Sequence, residues 1–376
     1  MEVYELFKMV FGLIASGFIL FFLINFAGLY AGVGGCTGKN IALKNFLKSV
    51  EDVYLTENEI DFTDFKRLQF TAAFQPWQSP PAFQIVDDAT ENCGYIRATV
   101  PVLSKPGEEV VIDARTINLG WWEYSMAIVI PETLVVFSPR DGNDATWDFI
   151  RDVTLAFPET DNTETKVRFA LCDSGKIDEG VCGSAGCSAF DFVASILPAT
   201  QGTMSGACTA TLPDNALLIS VGAICDVPTN GICVQPLGSN GIGSAMIANV
   251  SQQFTIIDPL DVIALSLGGD EETLFGPQGK LLYNYKRASF FQELGLATEL
   301  ATVRALDLAE AIHTVHPDHR CFSALTSFAT VTAPLIPLAE TEGKTPSEAT
   351  ALVATLTASK NAYTTVVDLG CDYLFT

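Results

Sequence analysis

Basic side chains and histidines are scarce in this chain, and both shortages exclude classes of function. The 376 residues include 21 lysines and arginines against 44 aspartates and glutamates, a formal net charge of -23. Nucleic acid and anionic lipid surfaces would repel such a protein, so neither is an expected partner. All three histidines lie between His313 and His319, which leaves none elsewhere for a Ser/His/Asp triad.

Complete catalytic motifs are also missing. There is no HExxH zinc motif, and Cys182 and Cys187 do not form the CxxC pair of redox proteins. The run 238–248 resembles the glycine-rich turn of short-chain dehydrogenases, but its glycines are one residue short of the usual spacing. These absences favour a non-enzymatic protein.

A long apolar run near the start is the strongest positive signal. Residues 9–31 carry no charge, and as a helix they would span roughly 35 Å, enough for a bilayer core of about 30 Å. We therefore expect a single-pass membrane anchor with lipid as its partner. A cleaved signal or lipoprotein leader is the alternative, because small residues precede Cys36.

Small residues within this run predict helix association. Gly28 and Gly32 form a GxxxG spacing, which lets a second membrane helix approach closely. Asn25 adds a polar group that prefers a hydrogen-bonding partner to lipid. The anchor is therefore expected to self-associate or to pair with other envelope proteins.

The side of the membrane on which the body lies is indicated by conflicting signals. Lysines follow the apolar run, which by the positive-inside rule favours a cytoplasmic body. Ten cysteines and a glycosylation sequon at Asn249 favour the exoplasmic side, where disulfides form. We expect an exoplasmic body at the cell membrane.

Several cysteines lie in loops suited to disulfide bonds. Cys225 and Cys233 flank an Asn-Gly turn signal and are candidates for a bridged hairpin. Cys321 and Cys371 could join the C-terminal helices. Two further bridges are expected within one set, whose pairing the sequence leaves open: Cys172, Cys182, Cys187 and Cys208.

Two resemblances concern the anchor and the segments after it. The start MEVYELF, with Glu5 before an apolar helix, resembles mature type IV pilins, which implies helices bundled in a filament; Lys8 departs from that pattern. The anchor, SVEDVYLTENEIDFTDF and GWWEYSMAIVIPETLVVFSP are similar to uncharacterised single-pass surface proteins of small-genome archaea. That resemblance implies no known activity.

Hydrophobic patterning predicts a mixed fold. A short helix over 40–56 and several short strands over 58–130 indicate a β-rich, membrane-proximal module. A strand at 133–138, a helix at 144–157 and a strand at 166–172 form a βαβ unit, which predicts a parallel or mixed sheet. Further strands are expected at 216–224, 231–235, 254–258, 261–267 and 279–285, with a helix at 188–197.

Strand signals cease after Lys286, and helices are predicted over 288–315, 320–333 and 347–374. The fold class is therefore α/β, with α+β as the alternative. The expected divisions are an anchor at 1–35, a β-rich module at 36–131, a sheet domain at 132–286 and a helical region at 287–376.

The clustered histidines are the one candidate metal site. His313, His316, His319 and Cys321 could hold Zn²⁺, although Pro317 interrupts helical geometry among them. No cofactor other than this possible zinc is expected.

The leading hypothesis is a non-enzymatic structural or assembly subunit of a cell-envelope complex or filament. The alternatives are an exoplasmic metal-binding protein or metal-dependent hydrolase that uses the histidine cluster, and a ligand-binding surface receptor.

Overall fold

The computed structural model describes residues 36–86, 93–158, 167–173, 176–177, 188–199, 212–213, 216–223, 231–237, 243–247, 252–268, 272–273 and 276–372. The expected anchor at 9–31, with Asn25, Gly28 and Gly32, lies outside these residues. So do Asn249 and four of the cysteines: Cys182, Cys187, Cys208 and Cys225.

The strands in chain order are β1 Ile60–Phe62, β2 Thr71–Gln75, β3 Ala82–Val86, β4 Tyr95–Arg97, β5 Val102–Ser104, β6 Val110–Asn118, β7 Glu123–Pro131, β8 Thr133–Pro139, β9 Val167–Asp173, β10 Lys176–Ile177, β11 Ala216–Val221, β12 Gly231–Pro236, β13 Gly243–Ile247, β14 Gln253–Ile256, β15 Glu272–Thr273 and β16 Gly276–Pro277. The helices are α1 (36–56), α2 Asp64–Leu68, α3 Asp144–Ala156, α4 Ala189–Ala199, α5 Pro259–Gly268, α6 Gln278–Val315, α7 Arg320–Thr332, α8 Leu335–Thr341 and α9 Pro346–Asp368.

The predicted β-rich module is present as two sheets packed with α1. One has the strand order β1-β6-β7-β5 and the other is the antiparallel sheet β2-β3-β4. Phe46 of α1 packs edge-on against Phe62 at 5.4 Å and Phe83 at 5.1 Å between ring centroids. Aromatic pairs in this geometry add to the burial energy, so α1 is a core element of the body.

The predicted βαβ unit is confirmed within a seven-stranded mixed sheet. Its order is β10-β9-β8-β11-β12-β13-β14, in which β9, β8, β11 and β12 are parallel. β13 and β14 extend it as antiparallel strands. The helix α3 connects β8 to β9, as its Asp144 start and amphipathic pattern predict.

One hydrophobic core unites most of the chain. Its buried residues come from positions between Ala42 and Leu352 and include residues of both predicted modules. A second cluster lies between α7, α9 and the end of α6. The 38-residue α6 enters both clusters, so the expected border between residues 286 and 287 falls inside a helix.

The predicted strand at 261–267 is wrong, because these residues belong to α5. Every residue from Leu260 to Leu267 is buried, so the segment has no exposed face whose period would separate a helix from a buried strand. Asp258 accepts a hydrogen bond from the Asp261 backbone N–H at 3.2 Å, which starts the helix at Pro259.

The predicted strand at 279–285 is also wrong, because α6 begins at Gln278. Its inward positions have helical spacing, but two of them are charged, namely Lys286 and Arg287, between Leu282 and Phe290. Buried charges interrupt the apolar pattern from which a helix is recognised.

Candidate functional site

Four charged side chains form a buried cluster where α5 meets α6. Lys286 Nζ contacts a carboxylate oxygen of Asp258 and lies 3.0 Å from Asp261 Oδ1. Arg287 Nη1 lies 3.1 Å from Asp261 Oδ2. Lys286 and Asp261 are fully buried. Two cations face two carboxylates, so the cluster balances its own charge, which a buried ion pair requires.

Arg287 also joins three separate parts of the chain. Its guanidinium donates to the carbonyl oxygens of Thr255 at 3.2 Å and Gly343 at 3.3 Å, and to that of Glu342. Thr255 lies on β14, and the other two residues form the turn between α8 and α9. Arg287 therefore clamps β14, α6 and that turn together.

A pocket of about 300 Å³ lies beside this clamp, and Tyr283, Arg287 and Lys344 are among the residues that line it. The Tyr283 hydroxyl donates to the Thr255 carbonyl at 2.7 Å, and burial raises the pKa of Tyr283. Lys344 at the pocket edge lies 3.4 Å from Glu342. Burial also raises the pKa of Asp258, against the opposing effect of Lys286. These contacts are those of a structural brace.

The carboxyl edge of the parallel strands is a second place where α/β proteins bind ligands. The connection after β8 leads to β9 on one side, and the connection after β11 leads to β12 on the other side. The crevice between β8 and β11 is therefore a topological switch point. Asp141 lies there; its carboxylate accepts from Thr146 Oγ1 at 2.6 Å and from the Ala223 N–H at 2.7 Å. Burial alone would raise the pKa of Asp141, but these hydrogen bonds lower it. The carboxylate thus ties the two loops together.

The predicted metal ligands do not assemble into a site. Cys321 is bonded to Cys371, so its sulfur is not a thiolate ligand. His319 Nδ1 accepts from the Cys321 N–H at 3.2 Å and caps α7, and the His313 ring stacks on Phe322 at 4.6 Å. Nowhere in the described ranges do three His, Cys, Asp or Glu side chains form a group that could hold a metal ion. The four expected ligands, which also include the exposed His316, therefore do not form a zinc site in this structure.

The described part of the dehydrogenase-like glycine run, residues 243–247, is a strand. Gly243 begins β13, which pairs antiparallel with β12. A dinucleotide-binding turn leads instead into a helix whose N-terminus holds the pyrophosphate.

The disulfides agree in part with the sequence. The predicted Cys321–Cys371 bridge is present, and Cys172 and Cys233 are disulfide-bonded as well. The sequence did not indicate the bridge between Cys36 and Cys93, which fastens the start of α1 to the β-rich module. This bond occupies the sulfur that a lipoprotein leader would leave for lipid attachment.

Among the described residues, the segment Arg320–Thr341 alone is long and apolar enough to cross a membrane. This segment comprises α7 and α8, which pack against α6 and α9. Its inward residues, such as Leu325 and Phe328, fill the second hydrophobic cluster. We therefore describe it as part of the folded body.

The second half of α6 carries an apolar stripe that faces outward. We call Leu296, Leu300, Val303 and Leu306 the outer stripe; their exposed fractions are 64%, 67%, 52% and 47%. On the opposite side of the same helix, Leu294, Ala305 and Ala309 are buried. At 100° per residue the two groups lie on opposite faces, so the helix is apolar toward the core and also toward solvent.

No protein-family model, curated protein or solved structure matches the chain. The resemblances to pilins and to archaeal surface proteins therefore stay expectations. Of the sites described above, the outer stripe is the one whose side chains lack partners within the described body.

Proposed function

We propose that this protein is a non-enzymatic assembly subunit of a cell-envelope complex, anchored in the membrane by residues 9–31 with its body on the exoplasmic side. The outer stripe is the observation that carries the proposal. Single exposed apolar residues are ordinary, but contiguous apolar patches on a folded protein mark interaction surfaces. Four large aliphatic side chains within three helical turns form such a patch.

Two further observations support this proposal. Disulfide bonds at Cys36, Cys172, Cys233 and Cys321 suit an oxidising compartment. The charged groups of the interior are committed to structural contacts, which suits a rigid body better than a reaction centre. The filament form of such an assembly is an extension of the same proposal.

The test uses the full chain in its membrane. Leu300→Asp places a charge in the middle of the outer stripe, and burying it in an interface would cost several kcal/mol. We expect chemical crosslinking of intact membranes to give multimers for the original protein and at least tenfold less multimer for this variant. Leu55→Asp, at a 76% exposed leucine of α1, is the matched control and should leave the multimers unchanged.

Two results would contradict the proposal. One is a protein that is monomeric in its membrane at every concentration. The other is an unchanged yield of multimers from Leu300→Asp, provided that the variant keeps its disulfides and its unfolding transition.

A further inference from the structure

The outer stripe has the spacing of a coiled-coil seam. Leu296, Leu300, Val303 and Asp307 follow one another at intervals of four, three and four residues. In a heptad these are successive d, a, d and a positions, which face a partner helix. Leu306 falls at the flanking g position, and Asp307 ends the apolar part of the seam.

Charges on the two sides of the seam are complementary in one orientation. Glu299 falls at a g position and Arg304 at the following e position, five residues later. Parallel, in-register helices bring each g residue next to the e residue five positions along in the partner. Two copies would therefore form the pair Glu299 to Arg304 twice, once on each side.

The antiparallel orientation lacks this complementarity. There g positions face g positions, which places Glu299 beside Leu306 and Glu299 of the other helix.

Within the described ranges neither Glu299 nor Arg304 has an ion-pair partner, and both are exposed. Both side chains are thus available to a second copy of the chain.

We infer that the partner of the outer stripe is the same stripe on another copy of this chain, with the two α6 helices parallel and in register. This rests on the proposed function and specifies its interface. The seam has only three apolar layers, so the pairing is expected to need the high local concentration that a shared membrane supplies.

Single cysteine substitutions in the full chain distinguish the orientations. In a parallel, in-register pair each d residue faces its own equivalent, so oxidised membranes containing Val303→Cys should yield a disulfide-linked dimer. An antiparallel pair would instead crosslink only when Leu300→Cys and Val303→Cys proteins are mixed. Ala351→Cys, on an exposed position of α9, is the control for random collision and should yield at least tenfold less dimer.

A charge exchange tests the register independently. On the Val303→Cys background, Glu299→Arg and Arg304→Glu should each lower the dimer yield about fivefold, because each creates two like-charge pairs. Combining both substitutions should restore the yield. A merely structural role of either residue would not give this recovery.

The outcomes separate this inference from the proposed function. Multimers that persist while Val303→Cys fails to crosslink, or that crosslink only in the mixed sample, overturn the parallel pairing and leave the assembly role standing. A charge exchange without recovery also overturns the register. Absence of any multimer overturns both.

Discussion

Replacing Asp261 with asparagine removes the central carboxylate of the buried cluster with little change in shape. Asp261 is fully buried and accepts from Lys286, Arg287 and the Ile257 backbone N–H. Asparagine offers one acceptor oxygen, so an amide N–H would face a donor. Two buried cations would then share Asp258 alone.

The expected loss in the free energy of unfolding is about 3–5 kcal/mol, the usual cost of removing one member of a buried pair. The matched control is Asp148→Asn. Asp148 lies 2.9 Å from Arg151, but both side chains are more than a third exposed, so its loss should cost less than about 1 kcal/mol.

The assay is urea unfolding of the full chain in mild detergent, followed by the fluorescence of its four tryptophans. Adding Lys286→Met to Asp261→Asn leaves one cation, Arg287, and one carboxylate, Asp258, so the charges of the cluster balance again. The double variant should therefore be more stable than the sum of the single losses predicts, by about 1–3 kcal/mol. A loss below about 1 kcal/mol from Asp261→Asn, or strict additivity, would refute the charge-balance reasoning.

Three further predictions concern other parts of the body. Asp307→Leu adds an apolar layer to the outer stripe and should raise the crosslinked fraction in membranes; a lower fraction would contradict the seam. Burial raises the pKa of Glu293 above its ordinary value of 4.5, so this carboxyl stays protonated to higher pH in the folded state than in the unfolded state. The free energy of unfolding therefore falls as pH rises through that raised pKa. Glu293→Gln should be more stable than the original protein at neutral pH and lose this fall, as measured by urea unfolding across pH. Cys321→Ser with Cys371→Ser opens a bridge between residues 50 apart and should cost about 4 kcal/mol; an unchanged urea midpoint would contradict this.

The βαβ unit was predictable because its elements are amphipathic or bounded by clear signals. β8 and β9 are short apolar runs, and α3 between them has one buried face that includes Phe149, Ile150 and Val153. In such segments the local pattern and the tertiary environment agree. The Cys321–Cys371 bridge was predictable for a similar reason, because the two residues lie in predicted C-terminal helices that such a bridge could join.

The buried cluster of charged residues was not predictable, because its residues contradict the local pattern. Lys286 and Arg287 occupy inward positions of α6, where sequence reasoning expects apolar side chains. They are stable there only because Asp258, just before α5, and Asp261, in its first turn, pair with them. That complementarity joins residues more than 20 positions apart, and no periodicity reveals it. The sequence offered Cys321 both as a zinc ligand and as the partner of Cys371, and only the structure shows that its sulfur is in the disulfide.

The order of apolar and polar residues along the chain was sufficient by itself to predict a mixed helical and stranded body, and its acidity follows from composition alone. Which side of α6 faces inward was decided only by tertiary structure. That helix is apolar on two opposite sides, so helical period alone cannot choose between them. The choice comes from α7 and α8, which pack against one side of α6 and leave Leu296, Leu300 and Val303 in solvent.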